Sequence, residues 1–164
     1  MQTRNNISID RETNGGWRLS CRQYVPRSPK DLFPFFADAY NLERITPPFL
    51  HFRILSVSND PLLAGATLNY TLRLHYIPVF WRTLITEWQP PHRFVDTQQI
   101  GPFKRWHHLH EFVPTAQGTE MIDVVTFDLY CRELTATPIL GWVTNDLRSI
   151  FEYRHKRTGE ILGE

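Results

Sequence analysis

Two histidines lie two residues apart in a segment that also carries large aromatic side chains: Trp106, His108, His110 and Phe112 occupy alternate positions. In a β-strand this spacing places all four side chains on one face of the sheet. Two imidazoles on such a face can ligate a metal ion, exchange protons with a bound molecule, or hydrogen-bond its polar group. They can also be hydrogen-bonded structural residues, and the residue types alone leave these four interpretations open.

The same segment has a second face, formed by His107, Leu109 and Glu111. If Leu109 marked the buried side, this second face would point inward instead. Because large aromatic side chains favour burial, we expect the face with Trp106 and Phe112 to line the interior.

Two carboxylates are candidates to act beside the histidines. Asp123 and Glu87 each lie in a segment with strand-like alternation, and either would supply the third ligand that a metal site needs. Asp123 shares its face with four apolar residues, so its charge needs a partner if it is buried. The candidate partners are His108, His110, Arg82 and Arg105. We expect a structural ion pair, with a catalytic carboxylate of raised pKa at Asp123 as the alternative.

The bulk composition narrows the classes of function. A chain of 164 residues with 41% hydrophobic residues is long enough for one domain with a sizeable core. A net charge of +1 provides no electrostatic footprint for nucleic acid, and no apolar run is long enough to span a membrane. The basic cluster from Arg154 to Arg157 is predicted to complement the C-terminal end of a helix.

The cysteines and the first residues predict the compartment. Cys21 and Cys131 are far apart and lack metal-site spacing, and residues 1–12 are mostly polar, without the pattern of a signal peptide. We therefore expect a cytoplasmic protein whose two free thiols pack as small hydrophobic side chains. Cofactor motifs are absent from the sequence, and we assign no cofactor and no metal ion.

The rest of the chain must position the histidine strand, and its pattern predicts an α+β fold. Residues 1–16 are predicted as a polar arm, and residues 17–25 as the first strand. Ser28 and Pro29 mark a helix start as N-cap and first helical residue, and a second short helix is predicted over residues 39–45. Six further strands are predicted from period-two alternation, over residues 50–57, 67–76, 79–89, 93–99, 104–113 and 119–130.

The last predicted element is a long amphipathic helix. Thr137 is the expected N-cap and Pro138 the first helical residue. An apolar stripe follows at helical spacing, formed by Ile139, Leu140, Val143, Leu147, Ile150 and Phe151. A meander of six or seven strands twists and curls, so a single helix laid across it leaves a space. We therefore predict one domain over residues 17–164, with a cavity between sheet and helix.

Several segments carry a resemblance to a known group of proteins. They are Asn41 to Leu50 (NLERITPPFL), Trp88 to Asp96 (WQPPHRFVD), Gly101 to Phe103 (GPF) and Trp106 to Phe112 (WHHLHEF). With the order of elements, they resemble the START/Bet v 1-like helix-grip proteins of the SRPBCC superfamily. Within it, they are similar to the bacterial ligand-binding branch labelled polyketide cyclase/dehydrase-like or coenzyme Q-binding-like. The resemblance covers roughly residues 17–157.

The resemblance implies a helix-grip fold: a strand, two short helices, a six-stranded antiparallel meander, and a long C-terminal helix packed in the curved sheet. Members of the wider superfamily bind lipids, sterols, polyketides or plant hormones, and a minority catalyse cyclisation or dehydration. We therefore expect this chain to bind a small hydrophobic molecule that is aromatic, isoprenoid or lipid-like. The expected contacts are Trp106, His108, His110, Phe112, Tyr70 and Glu87 in the sheet, and Trp142 and Val143 in the last helix.

Two other functions stay open at this point. The first is a cyclase or dehydratase that acts on a polyketide-like substrate through His108, His110 and Asp123. The second is a non-catalytic module with a filled core that acts through a protein partner. Fold alone does not choose among these functions, although we expect a binder and not an enzyme.

Overall fold

The computed structural model describes residues 7–13, 15–130 and 138–163. An eight-stranded antiparallel sheet carries helices on its inner face. The strands are β1 (Ser8–Arg11), β2 (Trp17–Val25), β3 (Arg53–Val57), β4 (Thr67–Leu74), β5 (Ile77–Gln89), β6 (Arg93–Ile100), β7 (Arg105–Thr115) and β8 (Gly118–Asp128). The helices are α1 (Pro29–Ala37), α2 (Asn41–Arg44) and α3 (Pro138–Leu162), and a 3₁₀ turn spans Pro48–Leu50.

The strand order explains how the meander closes on itself. Across the sheet the order is β1-β2-β8-β7-β6-β5-β4-β3, so six strands follow one another along the chain from β3 to β8. The first long strand, β2, then pairs with the last, β8, in an unbroken antiparallel register. The predicted α+β fold, with its two short helices, six-stranded meander and long C-terminal helix, is confirmed.

An additional strand lies in the segment that was predicted as a polar arm. β1 pairs with β2 from Ser8 opposite Ser20 to Arg11 opposite Trp17. The two isoleucines of the arm explain this pairing, because Ile7 is buried and Ile9 packs against the core. The prediction of a polar arm is corrected for residues 7–11, since the packing of two apolar side chains against the core favours an ordered strand there.

The start of α1 follows the predicted capping pattern. The backbone N–H of Asp31 donates to the Ser28 hydroxyl at 3.3 Å, and Pro29 is the first helical residue. α1 ends at Ala37 and presents Phe33 to the sheet. The expected N-cap of α3, Thr137, lies outside the described residues.

Predicted strand boundaries differ from the structure by up to three residues, and two of the differences have a clear local cause. The predicted strand over 67–76 ends at Leu74, because His75 and Tyr76 adopt positive φ angles of 47° and 72° and form a two-residue turn. That geometry is typical of a tight hairpin, although glycine or asparagine usually occupies such positions. The predicted strand over 50–57 begins only at Arg53, since the 3₁₀ turn precedes it.

Within residues 7–13, 15–130 and 138–163, no helix is both long enough and apolar enough to span a membrane.

Candidate functional site

A cavity of about 210 Å³ lies between the sheet and α3. Alternate residues of β4 form part of one wall, because a strand turns every second side chain inward. They are Leu68, Tyr70, Leu72 and Leu74. The facing wall comes from α3, through Val143, Asp146, Leu147, Ile150, Phe151, Arg154, His155 and Thr158. The sheet and the final helix therefore enclose the space that their order predicted.

β7 turns Trp106, His108 and His110 toward this cavity. His107 and Leu109 lie on the other face of the sheet, where they line a separate shallow depression. The inner face is therefore the one that carries the large aromatic side chain, as the sequence analysis favoured.

Two carboxylates flank the pair of histidines. In the sheet, β6 and β8 are the neighbours of β7, and their register sets Asp96 opposite His108 and Asp123 opposite His110. Paired residues of antiparallel strands share a face, so all four side chains meet on the cavity side. We refer to Asp96, His108, His110 and Asp123 as the quartet.

Each histidine of the quartet contacts both carboxylates. His108 Nε2 lies 2.9 Å from Asp123 Oδ1, and His108 Nδ1 lies 3.5 Å from Asp96 Oδ2. His110 Nε2 lies 2.9 Å from Asp96 Oδ2, and His110 Nδ1 lies 3.0 Å from Asp123 Oδ1. The centroids of the two imidazole rings lie 3.7 Å apart, with a tilt of 35° between the ring planes. Three of the four ring nitrogens therefore lie within 3.0 Å of a carboxylate oxygen.

The shared contacts separate the pKa values of the two histidines. Burial, followed by the charge of His110, lowers the pKa of His108 to about 4 against the opposing hydrogen bond to Asp123. Burial also disfavours the charged form of His110, but its hydrogen bonds to Asp123 and Asp96 outweigh burial and raise its pKa. The quartet therefore favours its positive charge on His110 over His108.

The carboxylates of the quartet stay ionised despite their burial. Burial raises the pKa of Asp96, but the hydrogen bond from His110 and the charges of both histidines hold it below its usual value. The same balance, with hydrogen bonds from His108 and His110, holds the pKa of Asp123 well below its usual range. Asp123 is thus the ion-paired carboxylate that the sequence analysis expected, and the alternative of a raised pKa is wrong.

Aromatic side chains enclose the quartet on several sides. Phe94 stacks on His110 with 4.1 Å between ring centroids, and Phe151 of α3 meets His108 edge-on at 5.6 Å. Trp106 continues this surface and packs against Trp81 at 5.4 Å. These rings shield the quartet from bulk solvent, and the lower local dielectric strengthens its electrostatic interactions.

Tyr70 and Val143, two further residues named from the sequence, also line the cavity. The Tyr70 hydroxyl hydrogen-bonds the Thr83 hydroxyl at 3.1 Å, and burial raises its pKa. The Tyr70 ring stacks near Trp81 at 5.9 Å. We call the surface formed by Tyr70, Trp81, Phe103 and Trp106 the aromatic wall.

Three residues expected at the ligand lie outside the cavity lining. Phe112 shares the inner face of β7 but is covered by α1, where Phe33 meets it at 5.5 Å. Glu87 forms an ion pair with Arg93 on the opposite face, because a bulge in β5 shifts its register. Trp142 is 60% exposed, since it points from α3 toward solvent. The prediction is corrected for these three residues.

Two arginines considered as partners of Asp123 have other contacts. Arg82 donates to the Asn69 side chain at 2.7 Å, and Arg105 pairs with Asp128 at 3.1 Å. Both lie on the outer face of their strands, so neither can reach Asp123.

The sequence analysis did not identify three residues of the site, Asp96, Arg154 and His155. Asp96 lies two residues after Phe94 on the same face of β6, a period-two signal that marks it as inward. Arg154 and His155 were assigned to a basic cluster that complements the C-terminal end of a helix. However, His155 continues the buried stripe of α3 four residues after Phe151, and this spacing was the available signal.

Several polar atoms at the cavity are buried without a hydrogen-bond partner among the described residues. They are Trp81 Nε1, Arg154 Nε, Gln23 Oε1 and both ring nitrogens of His155. Burial lowers the pKa of His155, so its imidazole is neutral at neutral pH. We call the surface formed by the quartet, Arg154 and His155 the polar wall. The cavity is therefore amphiphilic, and its wall carries donors that have no partner in the part of the chain that the structure describes.

Two groups of side chains place metal-binding atoms close together. One consists of Asp96, His108 and His110, and the other of Cys21, Asp123 and His155. In each group the donor atoms lie within 4.8 Å of one another. Burial raises the pKa of the Cys21 thiol, which faces Asp123 Oδ2 at 4.0 Å.

Solved structures with a similar arrangement of elements identify the fold. A protein from Rhodobacter sphaeroides aligns over 96% of this chain and 97% of its own, with 14% identity and a TM-score of 0.67. The chain has the helix-grip fold. Ara h 8.0201 aligns over 90% of this chain and 98% of its own, with 14% identity and a TM-score of 0.63.

A third similar structure is the two-domain ARO/CYC protein StfQ from the steffimycin biosynthetic pathway. It aligns over 89% of this chain and 49% of its own, with 14% identity and a TM-score of 0.66. No protein-family model matches the sequence, and no curated protein matches it. The resemblance to the START/Bet v 1-like group is therefore confirmed at the level of the fold.

Proposed function

We propose that the chain binds a compact aromatic molecule with one polar group in the cavity between the sheet and α3. The observation that carries this proposal is the cavity itself, which has an aromatic wall and a polar wall. Apolar burial against the aromatic wall supplies most of the binding energy, while the few polar groups orient the ligand. The buried free thiol of Cys21 supports a cytoplasmic location for this activity.

Of the aromatic, isoprenoid and lipid-like ligands that the sequence analysis considers, the size of the cavity favours a small aromatic ring system. An apolar cavity of about 150 Å³ holds benzene. The cavity of about 210 Å³ therefore suits one ring or two fused rings better than a sterol or a long isoprenoid chain. Trp81 and Trp106 meet at right angles, so a flat ligand can stack on one ring and contact the edge of the other.

The unsatisfied donors indicate the chemistry of the polar group. Trp81 Nε1 and Arg154 Nε can only donate, and both are buried without a partner among the described residues. A ligand oxygen that accepts hydrogen bonds, such as a carbonyl or a phenolic oxygen, would satisfy them. Leaving such donors unpaired costs about 1–3 kcal/mol each, so an acceptor on the ligand contributes to affinity as well as orientation.

A fluorescence titration tests this function, because two tryptophans border the cavity. We expect 2-naphthol to quench tryptophan emission with saturation and to bind more tightly than naphthalene, which lacks the oxygen, or palmitate, which is too long. Native extraction followed by mass spectrometry should release an aromatic molecule from the purified protein. If no aromatic probe binds with saturation and the extract contains no small molecule, the proposal is wrong.

The quartet supports a second candidate, acid–base catalysis on a polyketide-like substrate. The imidazolium of His110 lies at the cavity wall and could donate a proton during cyclisation or dehydration. Among the structures with this fold, StfQ is an ARO/CYC protein, which supports the same class of substrate. The His110→Gln variant separates the two functions: loss of turnover of a linear polyketone with naphthol binding retained favours catalysis, whereas absence of turnover in the wild type excludes it for that substrate.

A further inference from the structure

We propose that Cys21, Asp123 and His155 form a zinc site in the wall of the cavity, with one coordination position open to the bound molecule. The three residues come from β2, β8 and α3, so the site joins the final helix to the sheet. This inference is independent of the aromatic ligand, since metal binding can be measured without it.

The donor atoms are already close to a coordination geometry. Cys21 lies opposite Asp123 in the register of β2 and β8, and its Sγ is 4.0 Å from Asp123 Oδ2. All three donor atoms lie within 4.8 Å of one another. Zinc–ligand bonds of about 2.0–2.3 Å at tetrahedral angles place donor atoms about 3.3–3.7 Å apart. Side-chain rotations alone can therefore close the site around one ion.

His155 provides the independent indication of a ligand. It is 3% exposed, and neither ring nitrogen has a hydrogen-bond partner among the described residues. The Gln23 amide donates to the His155 carbonyl oxygen at 2.7 Å and so holds this turn of α3 against β2. A buried imidazole with no partner is costly, and a metal ion at the ring nitrogen would satisfy it.

The other group of metal-binding residues is less suitable. Three of the four ring nitrogens of His108 and His110 already lie within 3.0 Å of Asp96 or Asp123. A metal ion there would have to displace these contacts. The histidines of the quartet therefore have hydrogen-bond partners without a metal ion, whereas the ring nitrogens of His155 have none among the described residues.

Asp123 connects the quartet to the proposed zinc site. Its Oδ1 accepts hydrogen bonds from His108 and His110, and its Oδ2 faces Cys21. Hydrogen bonds of this kind orient a ligating carboxylate and tune its basicity. The quartet would thus serve as the outer shell that fixes Asp123 Oδ2 for the metal ion.

The donor types favour zinc over the hard cations. A thiolate, an imidazole and a carboxylate match Zn²⁺, whereas Mg²⁺ and Ca²⁺ prefer oxygen ligands throughout. Three protein ligands leave a fourth position, which is the arrangement of catalytic zinc sites. Asp123 and His155 line the cavity, so that position faces the ligand space. An oxygen of the bound molecule, or a water, would occupy it.

Cobalt titration of the full chain, reduced and stripped with a chelator, tests the site without any organic ligand. We expect one Co²⁺ per chain and a near-ultraviolet thiolate-to-cobalt charge-transfer band, which Zn²⁺ then removes by displacement. Cys21→Ser should abolish the band, and His155→Gln should weaken binding by at least about tenfold. The matched controls are Cys131→Ser, which changes the other thiol, and His92→Gln, which changes an exposed histidine. Both should bind like the wild type.

Three results would overturn the site: no stoichiometric binding of either ion by the wild type, a charge-transfer band that survives Cys21→Ser, or equal losses in His92→Gln and His155→Gln. Circular dichroism and thermal unfolding of each metal-free variant establish that it is folded. If Cys21→Ser fails to fold, Cys21→Ala replaces it. If neither Cys21 variant folds, a band that is retained in Cys131→Ser assigns the ligand to Cys21, because only a thiolate ligand produces the band.

Discussion

The inner face of the sheet is closely packed where Phe33 of α1 covers it, and it is partly open under α3. Beneath α1, Phe33 meets Trp88, Phe94 and Phe112 with ring centroids 5.0–6.0 Å apart. Beneath α3 lies the cavity of about 210 Å³. β7 runs through both regions, with Phe112 in the first and His108 in the second. The same strand therefore contributes to the filled core and to the candidate site.

The difference follows from the side chains that each helix presents. Phe33 of α1 packs against the aromatic rings of Phe94 and Phe112 in the sheet, so little space is left between helix and sheet there. The buried stripe of α3 passes from Leu147 and Phe151 to His155 and Thr158, which are smaller or polar and fill less of the space. Aromatic rings fill the space under α1 around Phe33, while the unsatisfied groups that suit a ligand lie under α3.

The largest effect is expected from Phe112→Ala in the filled region. Removing a fully buried phenylalanine leaves a hole between Phe33 and Phe94 and should reduce the free energy of unfolding by about 3–5 kcal/mol. Urea unfolding measures the loss. Phe49→Ala removes an exposed phenylalanine and should change stability little. Equal losses in the two variants would contradict the distinction between filled and open regions.

Asp96→Asn should have an intermediate effect, because it weakens the quartet without opening a hole. His110 Nε2 would then face a neutral amide in place of a carboxylate at 2.9 Å, and we expect a loss of about 1–3 kcal/mol in unfolding free energy at neutral pH. The control is Asp128→Asn, which breaks a more exposed pair with Arg105 and should cost no more than about 1 kcal/mol. A larger loss in the control would show that the quartet contributes little.

Val143→Phe should separate binding from stability. The larger ring extends into the cavity and not into packed core, so the unfolding free energy should change by no more than about 1 kcal/mol. Affinity for 2-naphthol should fall by at least about tenfold, which corresponds to about 1.4 kcal/mol. Ile139→Phe, at an exposed position in the first turn of α3 and outside the cavity lining, is the matched control and should bind normally. Unchanged affinity in Val143→Phe would place the probe elsewhere.

The smallest effect is expected from Trp142→Ala. This tryptophan is largely exposed. Among the described residues, the one aromatic ring that it contacts is the exposed imidazole of His75. Stability should change by no more than about 0.5 kcal/mol, and 2-naphthol affinity should stay at the wild-type value. A clear loss of affinity would restore the prediction, made from the sequence, that Trp142 contacts the ligand.

The site was predictable where the signal is local to one strand. The inward face of β7 follows from the spacing of Trp106, His108 and His110, and Asp123 was named as a partner because a buried carboxylate needs one. Asp96 was missed, since its contact with His110 depends on the register between β6 and β7. The role of His155 was missed because its neighbours are basic and suggested a surface position.

The fold was predictable to a similar extent and for similar reasons. Capping at Ser28 and the alternation of β4 are local and were correct. The turn at His75 and Tyr76 was misplaced, because non-glycine residues with positive φ carry no clear sequence signal. β1 forms because Ile7 and Ile9 pack against a core built from residues far away in the chain. The composition of the N-terminal segment alone does not indicate that packing.

The sequence by itself determined the order of the elements and the apolar face of most of them, because caps, turns and periodicity act over a few neighbouring residues. Only the tertiary structure decided that Phe112 lies in a filled core while His108 faces a cavity. That outcome depends on which helix covers each part of β7. Equally, the register of three strands and the placement of α3 bring Asp96, Asp123 and His155 to the same wall. Such contacts join residues far apart in the chain, so no local pattern encodes them.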